Sequence, residues 1–354
     1  MNFGHGGNVD QVSRVYGIDR DSIVDFSANI NPLGLHKNVK EAIVQGICKV
    51  DRYPDITYRD LVNAISNYED TSSEYILLGN GAGEVIFNIV RALMPRKGVL
   101  FAPSFSEYGD ALSSVGCRSF YYSYGKDFSN VEGIVDYIDY DVDIVFLCNP
   151  NNPTGVLSSR DVLVKVAKRC KEVGAVLVID ESFLDFVENK WKISMIGLVK
   201  EYENIFVVKS LTKFYAFPGI RIGYGVTSNP DYINRYRGVC PPWNVNTLAM
   251  VGAIAALGET EYARESVAYV KSEGESLYNE LISINGIKVY RPSVNYIFFK
   301  CLVDIDLKDE LIKRGILIRD CSNYYGLDSG YYRVAVRTKM ENRILINGLK
   351  EVLK

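Results

Sequence analysis

Short apolar runs alternate with longer amphipathic stretches through the first two thirds of the chain. The runs have the length of strands that are buried on both faces, and they end at glycine, proline or polar residues. They predict strands near residues 75–78, 98–101, 118–122, 143–148, 175–179, 204–208 and 221–226, with helical stretches such as 85–94, 159–173 and 192–201. This order predicts an α/β fold with a mostly parallel seven-stranded sheet and helices on both faces.

The pattern changes after Pro241 and Pro242. A helix-rich stretch from about 246 to 284 precedes short strands around 287–290, 295–300, 316–319 and 331–336, and a closing helix follows. Such a pattern is typical of a smaller α+β domain. We therefore predict a large domain over 46–240, a small domain over 241–354, and an amino-terminal segment, 1–45, that joins the small domain.

Lys213 follows the strand predicted at 204–208 and lies in a mostly apolar segment. Burial disfavours the ammonium form of a lysine, which lowers its pKa until the neutral amine can attack an aldehyde. Pyridoxal phosphate carries such an aldehyde, so Lys213 is a candidate covalent anchor for this cofactor. Taken alone, Lys213 could also be a surface lysine with a buried stem.

The pyridine nitrogen and the phosphate of this cofactor make separate demands on the sequence. Asp180 ends the strand predicted at 175–179, where it would face the ligand crevice of an open sheet and pair with the ring nitrogen. It could instead cap a helix. A glycine turn at 81–83 joins a predicted strand to a predicted helix and suits a phosphate, which Ser210 and Arg221 would hold from the other side. The candidate backbone ligands in the turn are Gly81, Ala82 and Gly83.

The faces of the cofactor ring and its phenolic oxygen also need partners in the sequence. Phe105, or with less support Tyr108, would stack on the ring, and Asn152 lies in a proline-containing turn from which its amide could meet the phenolic oxygen. Each of these residues has a purely structural explanation when taken alone. Five successive strand ends nevertheless supply groups that suit one ligand, and that joint order favours a pyridoxal-phosphate site.

These motifs resemble those of the fold-type-I pyridoxal-phosphate enzymes in the class I/II aminotransferase superfamily. The family elements Asn-Pro-x-Gly, Asp-x-x-Tyr and Ser-x-x-Lys…Arg match residues 152–155, 180–183 and 210–221 in order. The resemblance implies that Lys213 is the Schiff-base lysine, Asp180 the pyridinium partner and Asn152 the phenolic-oxygen ligand. Phe183 departs from the pattern, because most aminotransferases carry a tyrosine there that also bonds the phenolic oxygen.

Two further segments resemble the family. Residues 52–55, Arg-Tyr-Pro-Asp, look like the segment whose tyrosine reaches the cofactor phosphate of the partner subunit, which implies a homodimer and this role for Tyr53. Residues 331–337 resemble the carboxylate-binding strand, with Arg333 at the matching position. Arg337, four residues on, would share a face with Arg333 by strand alternation and ranks second.

The amino terminus narrows the resemblance to one branch of the family. The phrases at 5–8, 25–34, 318–324 and 326–337 resemble the threonine-phosphate decarboxylases of cobalamin synthesis, relatives of the histidinol-phosphate aminotransferases. This implies that His5, Gly6, Asn29 and Arg319 contact a phosphorylated substrate, together with Asn152 and Arg333. The implied reaction is decarboxylation of O-phospho-L-threonine to (R)-1-aminopropan-2-yl phosphate and carbon dioxide.

Three alternatives stay open at the level of sequence. The first is transamination of histidinol phosphate or another amino acid with 2-oxoglutarate, since the same cofactor serves both reactions. The second is O-phosphoserine as substrate, because one methyl group gives modest discrimination, about 1–3 kcal/mol. The third is a noncatalytic ligand sensor, which the presence of Lys213 and the lack of an appended DNA-binding domain disfavour.

Composition agrees with a large enzyme outside the membrane. The chain has 354 residues, 47% of them hydrophobic and 23% charged, and a net charge of -3, which gives no electrostatic footprint for nucleic acid. No apolar run has the length of a membrane span, and no signal peptide is recognisable. Seven cysteines without a Cys-x-x-Cys pair, and two histidines, predict a reducing cytoplasm and no metal site.

Overall fold

The computed structural model describes residues 6–125, 127–129 and 131–354. Its α-helices are α1 (Val9–Tyr16), α2 (Lys37–Gly46), α3 (Arg59–Glu69), α4 (Ala82–Leu93), α5 (Glu107–Ser113), α6 (Arg160–Val173), α7 (Leu211–Phe214), α8 (Pro230–Val239), α9 (Thr247–Leu257), α10 (Thr260–Ile282), α11 (Leu307–Ile312) and α12 (Lys339–Val352). Its strands are β1 (Val24–Asp25), β2 (Ile76–Gly79), β3 (Lys97–Ala102), β4 (Arg118–Ser123), β5 (Ile144–Cys148), β6 (Val176–Asp180), β7 (Ile205–Ser210), β8 (Gly223–Val226), β9 (Ile287–Val289), β10 (Tyr296–Cys301), β11 (Ile316–Leu317), β12 (Arg319–Asp320) and β13 (Tyr331–Ala335). Within these residues, no helix combines the length and the apolar character that crossing a bilayer requires.

In the described part of the chain, seven strands form one large sheet in the order β2-β8-β7-β6-β5-β3-β4. The run from β7 to β4 is parallel, and β8 lies antiparallel to both of its neighbours. Val145 and Leu147 of β5 enter one hydrophobic cluster, whereas Ile144 and Phe146 enter another, so each face of the sheet has its own core. The predicted α/β class with a mostly parallel sheet is therefore confirmed.

The parallel strands bring their carboxyl ends to a common edge. Asp180 is the last residue of β6 and stands in register with Cys148 of β5, while Ser210 is the last residue of β7. The backbone N–H of Asn149 donates to the carbonyl oxygen of Asp180 at 2.8 Å, which holds the turn after β5 beside the end of β6. Loops that follow the strands at this edge carry most of the predicted site residues.

A second, antiparallel sheet has the order β12-β13-β10-β9, and β1 pairs in parallel with β11. Val24 stands opposite Ile316, and Phe26 packs in the same hydrophobic cluster as Leu277 and Ile297. These contacts attach the segment around residue 25 to the carboxyl-terminal strands. The boundaries at residues 45 and 240 stay a prediction.

Two sequence predictions need correction. The stretch 192–201 is not an α-helix but holds single 3₁₀ turns, because Glu181 accepts hydrogen bonds from Ser194 Oγ at 2.7 Å and from the N–H of Met195 at 2.8 Å. The Met195 N–H, which a helix beginning at residue 192 would direct to a backbone carbonyl, is thus bound to this buried carboxylate. The strand predicted at 316–319 divides into β11 and β12, which belong to different sheets.

Candidate active site

Lys213 lies in the single helical turn that follows β7. Its Nζ donates to Ser210 Oγ at 3.0 Å and stands 5.9 Å from the centroid of the Phe183 ring. Burial lowers the pKa of the Lys213 ammonium; Asp180 opposes that shift and Arg221 adds to it. The amine at this position is therefore easier to deprotonate than that of an exposed lysine.

Asp180 is buried and accepts two hydrogen bonds. The Tyr108 hydroxyl donates to Oδ2 at 2.7 Å, and the backbone N–H of Ser182 donates to Oδ1 at 2.9 Å. The Tyr108 ring stacks on Phe146 with 5.0 Å between centroids, and burial raises the pKa of its hydroxyl well above the ordinary value. Tyr108 thus stays a proton donor that orients the carboxylate.

Phe105 contrasts with Tyr108. Its ring is only partly buried and meets the Tyr108 ring edge to face at 5.6 Å. It lines a cavity of about 540 Å³ together with Asn323. Tyr108 lines the same cavity but is fully buried, so Phe105 is the more exposed of the two aromatic candidates.

The glycine turn before α4 lies against Arg221. Gly81 has a φ of +90°, and a Cβ there would come within 2.5 Å of Arg221 Nη2, so both its backbone conformation and its contact require glycine. A Cβ at Gly83 would meet nothing within 4 Å, and Ala82 begins α4. Arg221 itself has a φ of +61°. The structure thus brings Arg221 to the start of a helix, as an anion site requires.

Asn152 and Arg333 meet on the other side of the site. Arg333 is buried and donates through Nη1 to Asn152 Oδ1 and through Nη2 to the carbonyl oxygen of Ser27 at 3.0 Å. With its amide oxygen turned toward the guanidinium, Asn29 accepts from Arg333 Nη1 at 3.2 Å and from Nε at 3.3 Å. Asn29 therefore lies at the Arg333 guanidinium.

Arg319 is the neighbour of Arg333 across two antiparallel strands. The two residues stand directly opposite each other in the β12–β13 register, so their side chains share one face of the sheet. Arg319 Nη2 donates to Asn323 Oδ1 at 2.8 Å, and its guanidinium lies 5.4 Å from the centroid of the Tyr324 ring. Two buried guanidinium groups thus lie side by side.

The amino-terminal segment reaches the same region. A Cβ at Gly6 would lie 2.1 Å from the carbonyl oxygen of Ser27, so only glycine permits this approach, and the N–H of Gly7 donates to Ser27 Oγ at 2.8 Å. Gly6 and Arg319 line one small pocket. His5 lies outside the described residues.

Two candidates lie apart from these groups. Tyr53 is 79% exposed and stacks on Trp243 with 4.5 Å between the ring centroids. The strand that carries Arg333 ends at Ala335, so alternation does not extend to Arg337, whose Nε donates to Glu341 at 3.1 Å.

Sequence comparison identifies the family. The sequence profile described as Aminotransferase class I and II matches residues 21–349. The chain belongs to this family. A threonine-phosphate decarboxylase of Salmonella typhimurium is 39% identical over 356 residues, which cover 100% of this chain and 97% of the relative.

Solved structures of the aminotransferase family show the same fold. The histidinol-phosphate aminotransferase from Clostridium acetobutylicum superposes with a TM-score of 0.87 at 35% identity, covering 92% of this chain and 98% of that one. The L-threonine-O-3-phosphate decarboxylase from Porphyromonas gingivalis gives 0.83 at 25% identity, covering 94% and 99%. The predicted family, fold type and pyridoxal-phosphate cofactor are confirmed.

The residues present fit this cofactor. The space beside Gly83 leaves room for a phosphate at the start of α4, and the Arg221 guanidinium lies against Gly81 in the same turn. The Lys213 amine, with its lowered pKa, and the buried Asp180 carboxylate stand at neighbouring strand ends. Phe183 is buried edge to face against Tyr296 at 5.1 Å and offers no hydroxyl.

Sequence reasoning missed two groups at the site. The Tyr324 hydroxyl donates to Asn152 Oδ1 at 3.2 Å, and Ser27 bonds both Gly7 and Arg333. Both residues lie within the phrases 318–324 and 25–34 that carry the narrower resemblance, so the signal was present. Their partners are more than a hundred residues away in sequence, or are backbone groups, and no local pattern identifies them.

Proposed function

We propose that this protein is a pyridoxal-phosphate-dependent decarboxylase that converts O-phospho-L-threonine to (R)-1-aminopropan-2-yl phosphate and carbon dioxide, in cobalamin biosynthesis. The observation that carries the proposal is the pair of buried arginines, Arg319 and Arg333, directly opposite each other on β12 and β13. The 39% identity to a threonine-phosphate decarboxylase over the whole chain supports the same reaction.

Two adjacent guanidinium groups suit a substrate with two anionic groups. In the described residues, the hydrogen-bond partners of Arg333 are neutral oxygens, those of Asn152, Ser27 and Asn29. A buried cation is costly without an anionic partner, and a planar guanidinium binds a carboxylate through two hydrogen bonds. Phosphothreonine carries an α-carboxylate for Arg333 and a phosphate for Arg319.

The same site supplies the residues that we propose as cofactor ligands. Lys213 would hold the cofactor covalently, Asp180 would pair with the ring nitrogen, and the Asn152 amide would bond the phenolic oxygen. Phe105 would cover one ring face, whereas Tyr108 acts through Asp180. The cofactor phosphate would be held by Gly81, Ala82, Gly83, Ser210 and Arg221, and by Tyr53 of a second copy of the chain.

The substrate ligands fix which bond reacts. When bound, pyridoxal phosphate withdraws electrons from the Cα bond that stands perpendicular to its ring. Arg333 would hold the carboxylate of the substrate, while Arg319 and the segment of His5 and Gly6 would hold its phosphate. Asn29, which bonds Arg333, positions that guanidinium. The Lys213 amine would be the group that carries a proton beside the reacting carbon.

Transamination is the second candidate. The solved structure that is 35% identical to this chain is a histidinol-phosphate aminotransferase, and the same cofactor site serves both reactions. For transamination, Lys213 would instead remove the proton from Cα of the substrate. Histidinol phosphate has no α-carboxylate for Arg333, whereas glutamate, formed from 2-oxoglutarate, has one.

One assay separates the two reactions. Purified protein with pyridoxal phosphate is incubated with phosphothreonine, with phosphoserine, and with histidinol phosphate plus 2-oxoglutarate. We expect carbon dioxide release from phosphothreonine, less from phosphoserine, and no conversion of the cofactor to its amine form. Glutamate formation without carbon dioxide release would refute the decarboxylase proposal and support the aminotransferase.

The dimer proposal has its own test. Lys213→Ala and Tyr53→Ala chains are mixed under conditions that exchange subunits. If Tyr53 serves the partner's site, a mixed dimer has one intact site, with Lys213 from one chain and Tyr53 from the other. We expect activity above that of either variant alone. Unchanged activity in a demonstrated heterodimer would place Tyr53 outside the partner's site.

A further inference from the structure

Asn152 is held by two donors at a single atom. Arg333 Nη1 and the Tyr324 hydroxyl, at 3.2 Å, both point to Asn152 Oδ1. A guanidinium can only donate, so the amide atom that faces Arg333 must be the oxygen. The amide nitrogen is therefore turned away from β13, with its N–H groups available as donors on the other side.

Tyr324 contacts both Arg319, the proposed phosphate ligand, and Asn152, the proposed cofactor ligand. Its ring is buried and lies 5.4 Å from the Arg319 guanidinium, while its hydroxyl reaches Asn152. Its neighbour Asn323 holds the same arginine through Oδ1 at 2.8 Å. One side chain thus touches the proposed phosphate ligand with its face and the proposed cofactor ligand with its hydroxyl.

The phenylalanine at position 183 makes the hydrogen bond from Tyr324 to Asn152 more important. Its ring lies near Lys213 and packs edge to face on Tyr296, but it has no hydroxyl to donate to the cofactor. The donation to the phenolic oxygen then depends more strongly on the Asn152 amide. An amide held by a single donor at Oδ1 keeps more rotational freedom than one held by two.

We propose that Tyr324 is a positioning residue with two separable functions, an inference that rests on the proposed roles of Asn152 and Arg319. Its hydroxyl fixes the Asn152 amide so that Nδ2 donates to the phenolic oxygen of the cofactor. Its ring face supports Arg319 at the substrate phosphate. Tyr324 thereby connects the recognition of phosphate to the orientation of the cofactor ligand.

Tyr324→Phe and Tyr324→Leu separate the two functions. Tyr324→Phe removes the hydroxyl and keeps the ring, whereas Tyr324→Leu removes both. Tyr325→Phe is the matched control, because the Tyr325 side chain lies in the same loop, is 61% exposed and stacks on Tyr121. The first measurement is the pH midpoint of the absorbance of bound pyridoxal phosphate, without substrate.

The first expected result is an upward shift of that midpoint, by about half a pH unit, in Tyr324→Phe. A donor at the phenolic oxygen stabilises the negative charge left there when the nitrogen joining Lys213 to the cofactor loses its proton. Weakening that donor therefore raises the midpoint. Tyr325→Phe should match the wild type. A Tyr324→Phe midpoint equal to that of the control would overturn the proposal.

The second measurement is inhibition of turnover by inorganic phosphate. We expect Tyr324→Phe to bind phosphate within about twofold of the wild type and Tyr324→Leu to bind it about fivefold more weakly, because the ring face is lost. Equal weakening in both variants would contradict the division of functions. If Tyr324→Leu does not fold, as judged by thermal unfolding, the midpoint of Tyr324→Phe decides alone.

The absorbance measurement uses no substrate, so it does not depend on which reaction the enzyme catalyses. A protein that binds pyridoxal phosphate but releases no carbon dioxide would refute the proposed function and leave the Tyr324 comparison valid. A normal decarboxylase with an unshifted midpoint in Tyr324→Phe would refute the role of Tyr324 alone.

Discussion

Two lysines four residues apart at the end of β7 have pKa values shifted in opposite directions. Lys209 Nζ lies 3.1 Å from Asp185 Oδ2 and 3.6 Å from Glu69 Oε1, whereas Lys213 Nζ donates to the neutral hydroxyl of Ser210. Burial disfavours the charged form of Lys209, but Asp185, Glu69 and Glu181 outweigh it and raise its pKa. For Lys213, burial prevails and the pKa falls. The partners of a buried lysine, rather than its depth, decide whether it is a structural charge or a reactive amine.

The same difference extends to the surrounding side chains. Lys209 belongs to a cluster whose other members are paired: Lys190 bonds Asp185 and Tyr68, and Tyr224 donates to Glu69. At the site of Lys213, the cationic Arg333 instead meets neutral oxygens. The cations of the cluster thus have carboxylates beside them, whereas Arg333 has only neutral hydrogen-bond partners among the described residues. A buried cation without an anionic partner is unusual in a protein core, and such exceptions are expected at functional sites.

The largest expected effect comes from removing the reactive amine. On the roles proposed for Lys213, Lys213→Ala should lower kcat by about 10²–10⁴-fold, because the chain would lose both its covalent anchor and its proton carrier. The cofactor absorbance typical of a lysine linkage should disappear. The urea midpoint of the cofactor-free protein should not decrease, since no ion pair is lost. An unchanged spectrum would refute the assignment of Lys213.

Removing the paired lysine should instead affect folding. Lys209→Met leaves Glu69 as a buried carboxylate without a cationic partner and leaves Asp185 with Lys190 alone, so the free energy of unfolding should fall by about 3–5 kcal/mol. Urea unfolding measures this change, and turnover per folded molecule should stay within about twofold. A stable variant with lost activity would mean that Lys209 belongs to the chemistry.

The two lysines should also give opposite pH dependences. Because the folded-state pKa of Lys213 is below its ordinary value of about 10.4, the unfolded chain binds more protons between the two values, and stability rises with pH there. Cofactor-free Lys213→Met should therefore be more stable than the wild type at pH 7. Its advantage should shrink toward pH 10.4, by at most about 1.4 kcal/mol per pH unit.

The contribution of Lys209 to the free energy of unfolding changes with pH in the opposite direction. Its pKa is raised, so its stabilising effect is fully present below about pH 10.4 and declines as the pH rises further. Urea unfolding of wild type, Lys213→Met and Lys209→Met from pH 7 to 11 measures both trends. A gap between Lys213→Met and wild type that widens with pH would show that Lys213 is not buried as an amine.

The smallest expected effect is that of Glu69→Gln. The substitution keeps the shape and retains a partner for the Tyr224 hydroxyl, and Lys209 keeps Asp185. The loss should be about 1–2 kcal/mol in urea unfolding, without a change in cofactor absorbance. A loss as large as that of Lys209→Met would mean that Glu69, rather than Asp185, is the main partner of Lys209.

Much of the fold could be predicted from sequence because its signals are local. All seven strands of the large sheet lie at the predicted places. Six of them are buried and therefore read as apolar runs, whereas the edge strand β4 is mostly exposed. The stretch 192–201 could not be predicted, because a buried carboxylate from residue 181 decides its backbone. A contact of that kind has no local signature.

The site shows the same division. Lys213, Asp180 and Gly81 follow strands, so their positions can be inferred from the strand ends and the family motifs. The Tyr324 contact and the Lys209 cluster could not be inferred, because Tyr324 and Asn152 are 172 residues apart, and Lys209 reads as one more strand residue. Their roles depend on side chains that only the folded chain brings together.

The register of β12 against β13 determines the distance between the Arg319 and Arg333 side chains. Arg319 stands opposite Arg333, and the N–H of Cys321 continues the pairing by donating to the carbonyl oxygen of Tyr331 at 2.8 Å. Main-chain hydrogen bonds therefore fix the separation of the two positive charges, and a slip by one residue would turn Arg319 to the opposite face. If the two arginines bind the substrate as proposed, this backbone pairing sets the spacing between anionic groups that the site accepts.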